Sequence, residues 1–416
     1  MARVLANPGH GFCLFPEQRT GKTLIACTLI DRWKPEYLLV VCTKKAVVVW
    51  TREIKKHMAI TWPCEIEHIS YAQLLVNRKQ WLKTSFPKNS LMIVDEAQHI
   101  KGRKSKQGRL VRTLGRRFDR RLALTGTPIA QGLQDVWGIF DFIDPEIFGP
   151  WGLFQGVYCV MGGFKGKQIM GYKNKDAFNR LFHKHSYRIT LDEARAEAGM
   201  PPVKVRRVQV EVVLGRETRR VYQELEKEMR AEVQKKEIKT PLVITQAMRL
   251  HQLCGGHITG PEGEHIIVGN EKINRLIYIL NEYMKGKKAI ICCRFTWEIE
   301  QIEADCKARG RTVSIISGKH KFTGEEAHKN SDIVIMQIQS GVAIDLAFAP
   351  NMIFYSWNYS YLDYEQSRFR IVEFKSKRVT YFYLVAKDSI DEIMYEAVTR
   401  KKKFAALVID HYRKVV

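Results

Sequence analysis

The sequence contains no unbroken apolar run of eighteen residues, and so no stretch able to span a bilayer as a helix. It lacks internal repeats and low-complexity tracts, which sets aside solenoid and fibrous architectures. Its nine cysteines have no paired spacing, and Cys292 and Cys293 are adjacent, so neither a disulfide framework nor a zinc site is expected. His251, Cys254 and His257 fall close together, but their spacing matches no usual zinc pattern and a fourth ligand is missing. No secretory leader is recognisable, so a soluble chain in the cytoplasm, without a membrane partner, is expected. The most consequential shortage is of acid. Lys+Arg number 68 against 44 Asp+Glu, a formal charge of +24. An excess of that size points to a polyanionic partner, nucleic acid first among them. No zinc finger and no aromatic-rich RNA module is visible, so binding should be led by phosphate contacts and depend steeply on salt.

Against these absences stand strand-like apolar runs separated by helical patterns: Leu38–Cys42, Leu91–Asp95 and Leu122–Thr125, then Ala289–Cys293, Val313–Ile316, Ile333–Gln337, Met352–Ser356 and Thr380–Val385. Such alternation predicts parallel sheets covered by helices, an α/β fold. Between the two sets lies a Gly-rich, aromatic stretch (Trp151–Tyr172), followed by mostly helical patterns broken at Pro201-Pro202. The predicted division is a first α/β lobe over 1–150, a helical insertion and linker over 151–265, and a second lobe over 266–416.

Chemistry concentrates in the first lobe. The run Gly11–Phe15 leads into Pro16-Glu17-Gln18-Arg19-Thr20-Gly21-Lys22-Thr23 and then a helix-like stretch to Trp33. A strand, a loop ending Gly-Lys-Thr and a helix can cradle phosphate. Gly21 admits close backbone approach, Lys22 brings positive charge, and the Thr23 hydroxyl suits Mg²⁺. The strict eight-residue pattern fails, because Pro16 occupies its first glycine position. The apolar run Leu91–Val94 ends in Asp95-Glu96-Ala97-Gln98, where Asp95 suits Mg²⁺ and Glu96 suits polarising a water. Leu122–Leu124 ends in Thr125-Gly126-Thr127-Pro128. Together these predict an ATP-Mg²⁺ site at the C-terminal edge of a parallel sheet.

With these residues in place, the chain resembles the Swi/Snf-type ATPases of helicase superfamily two, especially compact phage-like members. Pro16–Thr23 is similar to the family's first motif, and Val40–Lys44 with Trp50 and Glu53 to motif Ia. Ile93–Lys101 is similar to motif II, and Leu122–Gly149 to motif III and its extension. Lys288–Thr296 resembles motif IV, Ile335–Leu346 motif V, and Gln366–Arg370 the start of motif VI. The resemblance implies two RecA-like lobes and DNA-stimulated ATP hydrolysis. It assigns catalysis to Lys22, Asp95, Glu96, Gln98 and Arg370. It assigns nucleotide contacts to Arg19, Thr20, Gly21, Lys22, Thr23 and Gln366, and Mg²⁺ to Thr23 and Asp95. Nucleic-acid contacts fall to Lys44, Lys45, Thr127, Arg294, Gln339 and Ser340. The expected work is translocation on duplex or branched DNA in replication, recombination or repair, by a monomer working beside a nuclease or recombination partner. A strand-separating DNA or RNA helicase and a DNA-binding scaffold without turnover are the alternatives.

The chain departs from the family pattern in several places. Few residues precede Pro16, and none of them is a glutamine that could contact adenine. Arg19 stands where relatives often carry glycine, and Ala343 replaces a glycine of motif V. Motif VI ordinarily carries two arginines three residues apart. With Arg370 as the first, Glu373 fills the second place; with Arg368 as the first, Ile371 does. Residues 101–121 hold ten Lys/Arg against the single acid Asp119. A run of cations is ordinarily a solvated face. This one follows the acidic strand end directly, so Arg103 and Lys104 are taken as further DNA contacts. Trp357, Tyr359, Tyr361 and Tyr364 are expected to pack a core rather than stack on bases.

Overall fold

The computed structural model describes residues 10–400, apart from 59, 130–131, 164–165, 167, 235–239, 261, 320–324 and 340–343. The chain forms two compact units, Met1–Pro201 and Pro202–Val416. Among the described residues no helix is long and apolar enough to cross a membrane.

In the first unit, β1 (Gly11–Leu14), β2 (Tyr37–Cys42), β3 (Glu65–Ser70), β4 (Ser90–Asp95), β5 (Arg120–Leu124) and a short β8 (Ser186–Tyr187) form a parallel sheet in the order β3-β2-β4-β5-β1-β8. The apolar runs are unbroken because both faces of this sheet are covered. Cys13, Leu39, Val41, Met92, Val94 and Ala123 face one core. Phe12, Leu14, Leu38, Val40, Ile93, Leu122 and Leu124 face the other, against Leu29 and Ile30 of helix Lys22–Trp33. Alternate residues therefore serve opposite layers. Because every pairing is parallel, all strands end on one edge, and the chain leaves β1 to cross β5 and β4 before joining β2. Ligands of such sheets bind beyond the carboxyl ends of the strands.

In the second unit, β9 (Lys204–Val212), β12 (Ala289–Cys293), β13 (Val313–Ile316), β14 (Ile333–Gln337), β15 (Asn351–Phe354) and β16 (Arg378–Ala386) form another parallel sheet, ordered β13-β14-β12-β15-β16-β9. Two small antiparallel pairs accompany the sheets. β6 (Cys159–Gly162) pairs with β7 (Gln168–Tyr172), and β10 (His257–Thr259) with β11 (His265–Ile267).

The stretch expected as a single insertion, 151–265, is shared between the units. Phe154, Tyr158, Phe178 and Phe182 pack into the first unit's core. Along β8, Cys13 and Phe15 donate their amides to the carbonyls of His185 and Tyr187 at 3.0 and 2.8 Å. The chain then passes into β9, which pairs with β16 over its whole length. Strands β3 and β9 escape an apolar-run search because they are edge strands and carry charge, as Glu65-Ile66-Glu67-His68 and Lys204-Val205-Arg206-Arg207 show.

Candidate functional site

The loop after β1 runs from Phe15 to Gly21. Gly21 sits at φ 82° and turns the chain directly into helix Lys22–Trp33, whose N-terminus carries no side-chain cap. A helix N-terminus of this kind suits an incoming anion. Arg19 also adopts positive φ, 68°, a conformation glycine would take without strain. The loop folds back on itself. Lys22 Nζ donates to the carbonyls of Pro16 and Glu17 at 3.1 and 3.2 Å, and Thr20 Oγ1 donates to Glu17 O at 2.6 Å. The lysine thus rests on its own loop carbonyls, which hold a cation where an anion's charge would be satisfied.

Asp95 ends β4 and is held from three sides. Trp50 Nε1 donates to its Oδ2 at 2.9 Å, the Glu96 amide donates to its Oδ1 at 2.9 Å, and the Tyr71 hydroxyl donates to its carbonyl at 2.6 Å. Burial pushes the Asp95 carboxyl up from 3.8 to about 6, and the Glu96 carboxylate adds to the rise. The Trp50 indole, Lys22 and the Glu96 amide pull it back. A carboxylate this reluctant to ionise beside a lysine is a site where added positive charge would be stabilising. Glu96 itself adopts φ 51°, a strained conformation for a non-glycine residue, and starts the short 3₁₀ turn Ala97–Ile100.

Gln98 joins the acidic strand end to the loop after β5. Its Nε2 donates to Glu96 Oε2 at 2.6 Å, and its Oε1 accepts from the buried Thr125 hydroxyl at 2.6 Å. The Thr127 amide donates to Thr125 Oγ1 at 3.1 Å. A Cβ built on Gly126 would lie 3.3 Å from both Lys22 Nζ and the Gln18 amide nitrogen, so the Thr125–Thr127 loop abuts the phosphate loop. The structure therefore gathers Thr20, Gly21, Lys22, Asp95, Glu96, Gln98 and Thr127 at one sheet edge. Thr23 is the second residue of the helix that starts there. These residue types fit a nucleotide with its cation: Gly21, Lys22 and the helix N-terminus would hold phosphate oxygens, and Thr23 and Asp95 would hold Mg²⁺. Tyr71, a direct partner of Asp95, carries no spacing signal in the sequence. Trp50 belonged to a recognisable stretch, but nothing in the sequence marked its indole as an Asp95 donor.

The expected nucleic-acid residues fall in several places. Lys44 and Lys45 are exposed just past the end of β2. The basic run 101–121 divides by role. Arg112 is buried, pairs with Asp141 at 3.1 Å, and donates to the carbonyls of Ile100 and Arg103. Arg121 is buried against Phe142 O, Arg117 donates to Leu82 O at 2.8 Å, and Arg120 lies over Trp33. These arginines hold the fold. Arg103, Lys104, Lys106 and Arg109 are exposed.

On the second unit, Arg294 follows β12, stacks over Tyr359 at 5.2 Å, and has its amide fixed by Ser356 Oγ at 2.8 Å. Burial lowers its guanidinium to about 10. Gln339 is exposed beyond β14, and Ser340, Gly341 and Ala343 lie outside the described residues. Gln366 is half-buried on helix Tyr361–Arg368. Arg368 is committed to Glu365 at 2.8 Å, and the half-buried Arg370 donates to Ile344 O at 3.5 Å. Glu373 is exposed. Trp357 and Tyr364 are buried in an aromatic core with Tyr383, whereas Tyr359 is 39% exposed. Cys254 is buried, and the described residues contain no group of three His, Cys, Asp or Glu able to hold a metal.

Two parallel-sheet units, one carrying a phosphate loop facing an acidic strand end, define an α/β protein built of two RecA-like lobes. The model of the SNF2-related domain matches residues 1–256, and the chain belongs to that family. An uncharacterized ATP-dependent helicase of Mycoplasma genitalium is 25% identical, over 75% of this chain and 30% of that protein. An ISWI chromatin-remodeling complex ATPase of Arabidopsis thaliana is 25% identical over 99% of this chain and 42% of that protein. The chain thus spans between 30% and 42% of these relatives' lengths. Among solved structures, the Sulfolobus solfataricus SWI2/SNF2 ATPase core in complex with dsDNA matches with a TM-score of 0.41 and 19% identity, covering 99% of this chain and 92% of that one.

Proposed function

We propose that this chain is the motor core of an ATP-dependent DNA translocase, hydrolysing ATP to move on or remodel duplex or branched DNA. One observation carries the reading. Lys22, the Asp95-Glu96 pair and the Gln98–Thr125 hydrogen bond lie at the same edge of one sheet, with an uncapped helix N-terminus beside them. In this reading Lys22, Gly21, Thr20 and Arg19 bind the phosphates, and Thr23 and Asp95 hold Mg²⁺, which would neutralise charge on the terminal phosphates. Glu96 orients water, its carboxylate steered by Gln98. Loss of the terminal phosphate is communicated through Gln98 and Thr125 to Thr127. Gln366 and Arg370 are assigned to the nucleotide by their motif positions. Lys44, Lys45, Thr127, Arg103, Lys104, Arg294, Gln339 and Ser340 are assigned to the DNA backbone. The charge of +24 supports a polyanionic track. A role in replication, recombination or repair, beside a nuclease, is the cellular extension of this reading.

The test is ATP hydrolysis by the wild type and Lys22→Ala without nucleic acid, and with single-stranded DNA, duplex, branched junction or RNA. Turnover that rises with duplex or junction and disappears in Lys22→Ala is expected. Salt-sensitive DNA binding with no turnover on any polymer would overturn the motor and leave a binding scaffold. Stimulation by RNA alone would replace the track.

A further inference from the structure

Helix Trp151–Tyr158, the β6–β7 hairpin and the loop at Arg103-Lys104 enclose an open groove of about 1050 Å³ on the first unit. Among the described residues that line it, the cations are Arg103, Lys104 and Lys173, all exposed, and none is a carboxylate. Arg103 is held with its guanidinium 5.6 Å from the centre of the Trp151 ring, which is itself packed edge-on against Trp137 and stacked on Phe154. That arginine therefore presents its charge from a fixed base. The floor is formed where Gly152 and Gly156 fall one turn apart on the helix. A Cβ at either position would meet nothing within 4 Å. Both are exposed, and neither has the positive φ that would demand glycine. Glycine in a helix interior costs about 1 kcal/mol against alanine, so two of them with open space above leave a shallow floor that the helix's own stability does not call for.

We propose that this groove seats the sugar-phosphate backbone of duplex DNA. Lys173 joins Arg103 and Lys104 as a phosphate contact, and Gly152 and Gly156 allow the strand to approach the helix closely. The proposal rests on the reading of the chain as a DNA-binding motor and adds a site to it. Three cations in a described lining that holds no carboxylate select a polyanion, and the openness of the groove suits a continuous backbone better than an enclosed small molecule. Lys104 and Lys173 belong to segments separated by the whole of β5 and helix Gln134–Ile143, so no linear basic motif announces the pair.

The experiment uses the full chain, a fluorescently labelled duplex, and binding measured over a series of salt concentrations. Each phosphate contact contributes about 0.9 to the slope of log K against log salt, so Lys104→Gln with Lys173→Gln should flatten that slope by about 1.8. Gly156→Leu fills the floor without changing charge. It should weaken duplex binding several-fold while leaving the nucleotide-binding affinity of the first unit unchanged, and the better helix propensity of leucine guards against misfolding. A diffuse electrostatic surface would respond to the lysine pair and ignore the leucine. Wild-type binding by Gly156→Leu, or an unchanged slope in the double variant, overturns the groove while DNA-stimulated turnover of the wild type keeps the motor reading intact. A wild type that neither binds duplex nor responds to it in turnover removes both.

Discussion

Trp50→Phe offers a sharp test of how Asp95 is tuned. The indole is buried, 1% exposed, and its N–H donates to Asp95 Oδ2 at 2.9 Å. Burial and Glu96 already hold the carboxyl near 6, and this hydrogen bond is the largest of the contributions opposing them. A hydrogen bond to a charged group contributes about 1.5–3 kcal/mol, and a tenfold change in ionisation corresponds to about 1.4 kcal/mol. Losing the indole donor should therefore move the midpoint of Asp95 by about one to two pH units, to about 7–8. Asp95 must be ionised to hold a cation, so activity falls as pH drops through that midpoint. The acid limb of kcat/KM, which reports groups of the nucleotide-free protein, should move from about pH 6 to about pH 7–8.

Stability carries an independent readout of the same group. The folded-state pKa lies above the unfolded value of 3.8, so between the two the native state binds the extra proton. Stability contributed by this site is fully present below 3.8 and declines as pH rises to about 6. In Trp50→Phe the decline should continue to about pH 7–8. Lost packing around the smaller ring lowers the melting temperature at every pH and leaves the pH window where it was. An acid limb and a stability window that both stay near pH 6, in a folded variant, would refute the assignment of the indole as the group that keeps Asp95 ionised.

Two further outcomes follow from other parts of the chain. In the second unit Lys272 and Asp391 form a fully buried pair at 2.5 Å, with His251 Nε2 at 3.5 Å from the same carboxylate. Burial opposes the Lys272 charge most strongly of any single influence, but Asp391, Cys254 and Glu298 together outweigh it and raise the pKa, whereas burial, Lys272 and Arg294 hold the His251 imidazole well below its ordinary range. Lys272→Met should cost about 3–5 kcal/mol in denaturant unfolding, because it leaves the Asp391 carboxylate buried without its lysine, and adding Asp391→Leu should restore most of it. A single variant as stable as the wild type would show that the carboxylate is rescued by other partners. Glu373→Arg restores the second arginine of motif VI on an exposed site. Because such a residue can contribute about 10³–10⁵ in rate, turnover should rise by at least tenfold if its absence limits hydrolysis. Unchanged turnover would mean that another cation already serves.

What the sequence determined on its own is whatever depends on neighbours along the chain. The both-faces-buried strands β2, β4, β5, β12 and β14 carry continuous apolar runs, because successive residues meet packed layers on opposite faces. The Gly-Lys-Thr turn and the Asp95-Glu96 strand end are local pieces of chemistry and were legible as such. Tertiary structure decided the rest. Edge strands β3 and β9 need apolar residues on fewer positions, so their charge hid them. It decided which members of the basic run 101–121 serve the fold: Arg112 and Arg121 are spent on carbonyls and Asp141, while Arg103 and Lys104 reach solvent. It also brought Trp50 and Tyr71, 45 and 24 residues away in sequence, onto Asp95. Spacing along a chain specifies periodicity and turns, but a side chain's partner across the fold is fixed only when parallel strands align their ends and the intervening helices pack.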